Sequence, residues 1–153
     1  MLVAGEWCDA GDGATADVLN PATGEVIATT PKATIDDVER CVSASRNALV
    51  SKDWAAIDPA QRGRILQKMA AATYANAKSL AALESSNNGK TFREALSEIR
   101  YGAWTLEYFA GLSDKIEGST IPVPGNRLNY TLRQPLGVTA HIVPWNFPLQ
   151  LAI

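Results

Sequence analysis

Asn146 is the residue whose type and setting best suit chemistry. It sits in Pro144-Trp145-Asn146-Phe147-Pro148, directly after the apolar run Val138-Thr139-Ala140-His141-Ile142-Val143. Proline fixes φ and drives the residue before it toward extended backbone, so Pro144 and Pro148 stiffen the chain on both sides of the amide. Gly137 and Pro144 bracket the apolar run and predict a short buried strand. Asn146 then lies at a strand's carboxyl end, where α/β proteins bind ligands. A side-chain NH₂ held there donates hydrogen bonds to a substrate oxygen. The same residues also suit a plain turn, with Trp145 and Phe147 as core.

Other chemistry-bearing residues are sparse. His141 is the only histidine; inside an apolar strand it reads as a hydrogen-bonded core residue rather than a base. Glu94 and Glu98 lie one helical turn apart, a spacing that could suit paired acid/base carboxylates but belongs far more often to a solvated helix face, which is the role expected of them. Cys8 and Cys41 are too few for a disulfide framework and lack metal-ligand spacing. Cys41 falls on the apolar face of a predicted helix, as a small buried thiol does. Gly11-x-Gly13 is not a phosphate loop, because no buried strand precedes it and no helix follows.

Gly5-Glu6-Trp7 is a short strand followed by a bend. Asp17-Val18-Leu19, the turn at Thr23-Gly24 and Glu25-Val26-Ile27-Ala28 form a hairpin. Thr34 caps a helix whose first turn carries Asp36 and Asp37. Asp58-Pro59-Ala60-Gln61 begins a second, and the Ala-rich run through Leu83 is one long helix or two consecutive ones, stopped at Asn87-Asn88-Gly89. A third keeps Phe92, Ala95, Leu96, Ile99, Ala103, Leu106 and Ala110 on one face until Gly111. Ile121–Val123 and Leu128–Arg133, with Pro122 and Pro124, flank Gly125-Asn126 and predict a β-hairpin with a proline-bearing edge. Leu149–Ile153 reads as the start of a further helix.

The totals exclude several classes. A chain of 153 residues with 46% hydrophobic and 20% charged content is globular in composition. A net charge of −2 offers no basic field, so neither nucleic acid nor an anionic membrane is an expected partner. No apolar run reaches membrane-spanning length, and the expected setting is cytoplasmic.

Pro144–Pro148, preceded by Gln134-Pro135-Leu136-Gly137-Val138, resembles the N-terminal signature of the NAD(P)-dependent aldehyde dehydrogenase superfamily. Asn20-Pro21-Ala22-Thr23-Gly24-Glu25-Val26-Ile27, Asn88-Gly89-Lys90 and Tyr108-Phe109-Ala110-Gly111 are similar to family stretches and come in the family's order. The resemblance implies an α/β fold: the N-terminal part of a Rossmann-type cofactor domain, helix-rich, with a protruding hairpin. Residues 1–120 would be its first part, 121–137 an arm for association into a dimer or tetramer, and 138–153 an incomplete core strand and helix start.

The resemblance also implies oxidation of an aldehyde to a carboxylic acid with NAD or NADP. A Cys thiolate attacks the carbonyl, hydride passes to the nicotinamide, and water cleaves the thioester. Asn146 matches the family's oxyanion donor. Ile142, Val143, Pro144 and Trp145 match the segment along the cofactor's adenosine and ribose side. Phe147 and Leu151 match positions along the substrate tunnel. Val18 and Asn87 lie near positions that in some relatives bind a monovalent cation, but Asn87 stands where those relatives often carry a carboxylate, and no metal is expected. The sequence holds no Gly-rich turn at a helix N-terminus, no Glu in a family-like context and no family-like nucleophilic Cys. The expectation is an apparently truncated chain, inactive by itself. The competing expectation is a non-catalytic oligomerisation module built on the hairpin.

Overall fold

The computed structural model describes residues 1–153, and helices hold about half of them. Two antiparallel ladders open the chain. β1 (Leu2–Val3) pairs β2 (Glu6–Trp7), and β3 (Thr15–Leu19) pairs β4 (Val26–Pro31), with Val18 opposite Ala28 and a register shift before Leu19. The hairpin read from Thr23-Gly24 is therefore present. Of the expected α/β class, these residues form helices and antiparallel ladders; no parallel ladder is among them.

Helix starts follow the capping signals closely. α1 (Ile35–Val50) begins at Thr34 with a reciprocal capping box to Asp37. A short α2 (Lys52–Ala55) follows, and α3 (Pro59–Ala75) begins at Asp58, with Gln61 closing a second box and Pro59 in the first turn. The Ala-rich run divides at Asn76 into α3 and α4 (Ala77–Asn88), so the two-helix reading holds. Gly89 ends α4 at φ 80°, a left-handed position that glycine occupies without steric cost. α5 (Phe92–Leu112) is capped by Thr91 and runs past Gly111 to Ser113. α6 (Pro148–Ala152) is the short helix expected after Pro148. No helix is long and apolar enough to cross a membrane.

The core is narrow and made largely of alanine. Ala77 and Ala81 of α4 meet Ala95 and Ile99 of α5, with Leu80, Leu96 and Leu149 packed around them. Small side chains let the helix axes approach, so the polar residues one turn further along also come within bonding reach. Gly63 of α3 shows how tight the neighbouring contact is: a Cβ there would lie 2.7 Å from the Ala110 carbonyl oxygen of α5. On α5 itself, a Cβ at Gly102 would lie 3.0 Å from Ile153, so that glycine lets the chain after Pro148 lie against the helix.

The second half departs from expectation. Residues 138–143 form no strand, and Ile142 is fully exposed. A buried strand needs a neighbour to satisfy its amides and apolar cover on its faces, and no segment pairs with this one. His141 accordingly lies in the open, 3.0 Å from the Thr139 hydroxyl, and is not a core residue. The 121–137 arm is reduced to one antiparallel bridge, Thr120 to Tyr130, with Ile121 N–H donating to the Asn129 carbonyl at 2.8 Å. Proline at 122 and 124 removes the donors that would extend that ladder. Cys41 is only partly buried.

Asp37 ties the N-terminal segment to α1. Its carboxylate accepts from Gly11 N–H at 3.0 Å, from Thr34 N–H and hydroxyl at 2.9 Å each, and from Arg40. These bonds, the Thr34 and Gly11 amides first, hold the acid well below the usual carboxylate range. A depressed acid stabilises the fold while ionised in both states and loses that contribution as pH falls below the ordinary aspartate value. Asp37→Asn is expected to lower stability at neutral pH and to flatten its fall between about pH 4 and 2. Urea unfolding at a series of pH values measures both; an unchanged slope would remove Asp37 from the acid response.

Candidate functional site

Three stretches singled out in the sequence meet at the carboxyl end of α4. The β3–β4 turn brings Pro21 against Gly89, where a Cβ would stand 3.0 Å from the Pro21 ring. Gly89 reverses the chain, and the Ser85 hydroxyl donates to the Lys90 carbonyl at 2.5 Å while Lys90 N–H donates to the Asn88 side chain at 3.0 Å. The Lys90 side chain is thereby directed back between α4 and α5. An open depression of about 410 Å³, lined in part by Asn20, Ser86, Gly89 and Lys90, lies at the same junction.

Lys90 is the hub of the site. Its ammonium lies 2.9 Å from the Glu84 carboxylate of α4, pairs with Glu98 of α5, and donates to the backbone carbonyl of Asn146. Its Nζ also stands 4.6 Å from the centroid of the Phe147 ring, within cation–π range. The Asn88 side-chain amide donates to the Trp145 carbonyl at 3.4 Å. The Trp145–Phe147 loop is therefore held through consecutive backbone carbonyls and one aromatic face. Its bonds involve backbone, and no protein group holds the Asn146 side-chain amide, which keeps its donors for another acceptor.

The three charges are largely shielded, with 13%, 7% and 17% of the Lys90, Glu84 and Glu98 side chains exposed. Burial works against the ammonium most strongly of the single influences. Hydrogen bonds to Glu98 and Glu84 and the two negative charges outweigh it, and Lys90 is held above the ordinary lysine range. It is a cation at physiological pH. The solvated-face reading of Glu98 is therefore corrected: α5 packs close enough to α4 that Glu98 turns inward onto Lys90. Glu94, its supposed partner, instead accepts from the Thr91 hydroxyl at 2.8 Å at the helix start.

The expected site residues divide into two groups. Asn146 and Phe147 lie together at Lys90, Asn146 half-buried and Phe147 36% exposed, and Trp145 joins them through its carbonyl while its ring is exposed. Ile142, Val143 and Pro144 precede the loop on a segment with no ladder, and Leu151 is exposed on α6. No cluster of His, Cys, Asp or Glu suits a metal ion. Lys90, Glu84 and Asn88 were not read as functional. Asn88-Gly89-Lys90 was visible as a motif, but only the folded chain shows that its lysine reaches a loop 56 residues away.

An α/β chain with a helix-bordered amide loop of this kind is matched by known proteins. Residues 7–153 match the aldehyde dehydrogenase family model. The hydroxyisobutyraldehyde dehydrogenase of Mycolicibacterium austroafricanum is 42% identical over 149 residues, an overlap spanning 97% of this chain and 29% of that protein. Among solved structures, the NAD-dependent aldehyde dehydrogenase of Sinorhizobium meliloti superposes with a TM-score of 0.94 at 40% identity, over 99% of this chain and 31% of its own. A betaine aldehyde dehydrogenase variant from Staphylococcus aureus, solved with NAD⁺, superposes with a TM-score of 0.93 at 34% identity, over 99% of this chain and 30% of its own. The chain belongs to the aldehyde dehydrogenase family, as an N-terminal portion. It spans about a third of the length of these relatives.

Removing one partner of a buried charge cluster leaves the others uncompensated, at a cost of about 3–5 kcal/mol. Lys90→Met is expected to destabilise the fold by about that much, and Glu84→Gln/Lys90→Met/Glu98→Gln by distinctly less. Denaturant midpoints measure the difference. Because the ammonium is raised, its contribution persists below the ordinary lysine value and is lost only as pH climbs above it. Equal midpoints for Lys90→Met and the wild type would show that the cluster contributes no net stability.

Proposed function

We propose that these residues serve in the NAD(P)-dependent oxidation of an aldehyde to a carboxylic acid, with Asn146 as a donor to the oxyanion. The observation that carries this reading is the Asn146 loop, fixed by its backbone and free at its side-chain amide. Nucleophilic attack on an aldehyde turns a neutral carbonyl oxygen into an anion. A donor already in place stabilises that charge without reorganisation at the moment of reaction. Phe147, at the start of α6 with its ring beneath a fixed cation, and Leu151, one helical turn further, offer an apolar wall for the aldehyde's substituent.

The residues present fit one side of a nicotinamide dinucleotide. Exposed apolar surface at Ile142 and Trp145, stiffened by Pro144, suits the faces of an adenine ring and ribose. When bound, such a cofactor accepts the hydride. In this reading neither Cys8 nor Cys41 is the thiol nucleophile. Within this reading the isolated segment positions substrate and cofactor surfaces but does not turn an aldehyde over.

Asn146→Ala in the full-length enzyme is expected to slow acylation by about 10²–10³-fold. Single-turnover hydride transfer with saturating cofactor measures it. A rate within twofold of wild type would overturn the oxyanion role.

The reading extends to association. Leu128, Tyr130 and Leu132 alternate along an extended segment and are all exposed, with exposures of 76%, 54% and 69%. The segment is paired along one edge only, at the Thr120–Tyr130 bridge, and an open edge with exposed apolar side chains is a template for pairing with another copy. Leu128→Asp with Leu132→Asp is expected to reduce the particle mass seen by light scattering. An unchanged mass would exclude the 121–137 arm as the contact.

A further inference from the structure

Lys90 has three ammonium hydrogens and three oxygen partners, on α4, on α5 and in the Asn146 loop. Two of those partners are fixed by the tightest part of the core. Glu84 follows Ala81 by less than one turn, and Glu98 adjoins Ile99, the largest fully buried apolar side chain. The third partner is the carbonyl of the very residue whose side-chain amide has no hydrogen-bond partner within the chain. We propose that Lys90 is a positioning residue for the oxyanion donor: it fixes the Asn146 peptide so that the side-chain amide is presented in one orientation. This inference rests on the role of Asn146 given above and deepens it.

The geometry favours positioning over a merely adhesive role. With Pro144 and Pro148 limiting the backbone on either side, the Asn146 carbonyl is the handle that decides how the intervening peptide is turned. Asn88 holds the preceding carbonyl, and the Phe147 ring lies against the same ammonium, so consecutive residues are held from one side. A cluster that only glued α4 to α5 would need no third partner in the loop, because two carboxylates already neutralise more than the one positive charge. The chain places its last ammonium hydrogen on Asn146 instead.

Two readouts test the assignment in the full-length enzyme carrying these residues. Glu84→Gln/Lys90→Met/Glu98→Gln avoids leaving buried carboxylates unpaired, and it is compared with and without Asn146→Ala. Acylation is expected to slow at least tenfold in the triple variant, with cofactor affinity unchanged, and the loss is expected to shrink to within twofold when Asn146 is already Ala. An equal fold-loss in both backgrounds, or no loss in either, would overturn positioning.

Hydrogen exchange at the Leu151 amide, whose N–H donates to the Phe147 carbonyl at 3.1 Å, is the second readout. It is expected to rise at least tenfold in the triple variant while the middle of α3 keeps its protection. Unchanged exchange would show that the loop holds its place without Lys90. If Asn146→Ala alone leaves acylation intact, the oxyanion reading fails and this inference with it. That failure is visible in the single variant, before Lys90 is altered.

Discussion

One buried ammonium organises the functional end of this chain. Lys90 sits between two carboxylates supplied by different helices and reaches across to a loop more than fifty residues away. Moving three charges out of water carries a large desolvation cost, and apolar residues of similar volume often stabilise a core as well or better. A buried ion cluster is thus weak grounds for stability and better grounds for specificity. Its distinctive property is direction. An apolar contact between α5 and the loop would tolerate sliding by a fraction of an ångström, whereas an ammonium with three fixed acceptors does not.

That arrangement depends on small residues elsewhere. Ala77, Ala81 and Ala95 bring α4 and α5 together, and Gly63 lets α3 approach the Ala110 carbonyl of α5. Larger side chains in that seam would separate the axes, and Glu84 and Glu98 would part before either could share Lys90. Gly89 contributes in another way. Its left-handed backbone reverses the chain just after α4, which is what turns Lys90 inward, and its missing side chain leaves room for Pro21. Core packing and turn chemistry together therefore set the position of a single polar group.

Local signals in the sequence carry through to the fold, and non-local ones do not. Thr34, Asp58 and Gly89 mark helix ends because each satisfies backbone groups within a few residues, a requirement that travels with the chain. The apolar face of α5 follows from its period alone. The strand expected at 138–143 failed because apolar composition shows that a segment can be buried in a sheet, while pairing depends on a neighbour. The 121–137 hairpin kept its turn and one bridge for the same reason. Glu98 was placed on a solvated face because its spacing from Glu94 is a property of one helix, whereas its true partner is Lys90, fixed by how two helices pack. Asn146 was legible through its prolines. What holds it was not, since Lys90 lies far away in sequence and carries no local mark of its destination.

The contrast between the Asn146 loop and its surroundings has a mechanistic meaning. The residues just before it, 138–143, have no ladder and lie largely exposed, yet the loop itself is anchored at two carbonyls and one ring. Those anchors come from the helical layer, through bonds that originate at the end of α4. An oxyanion donor is effective to the extent that its direction is set before charge develops. In the proposed role, the direction of the Asn146 side chain is set by the bonds that Lys90 and Asn88 make to the carbonyls of its loop.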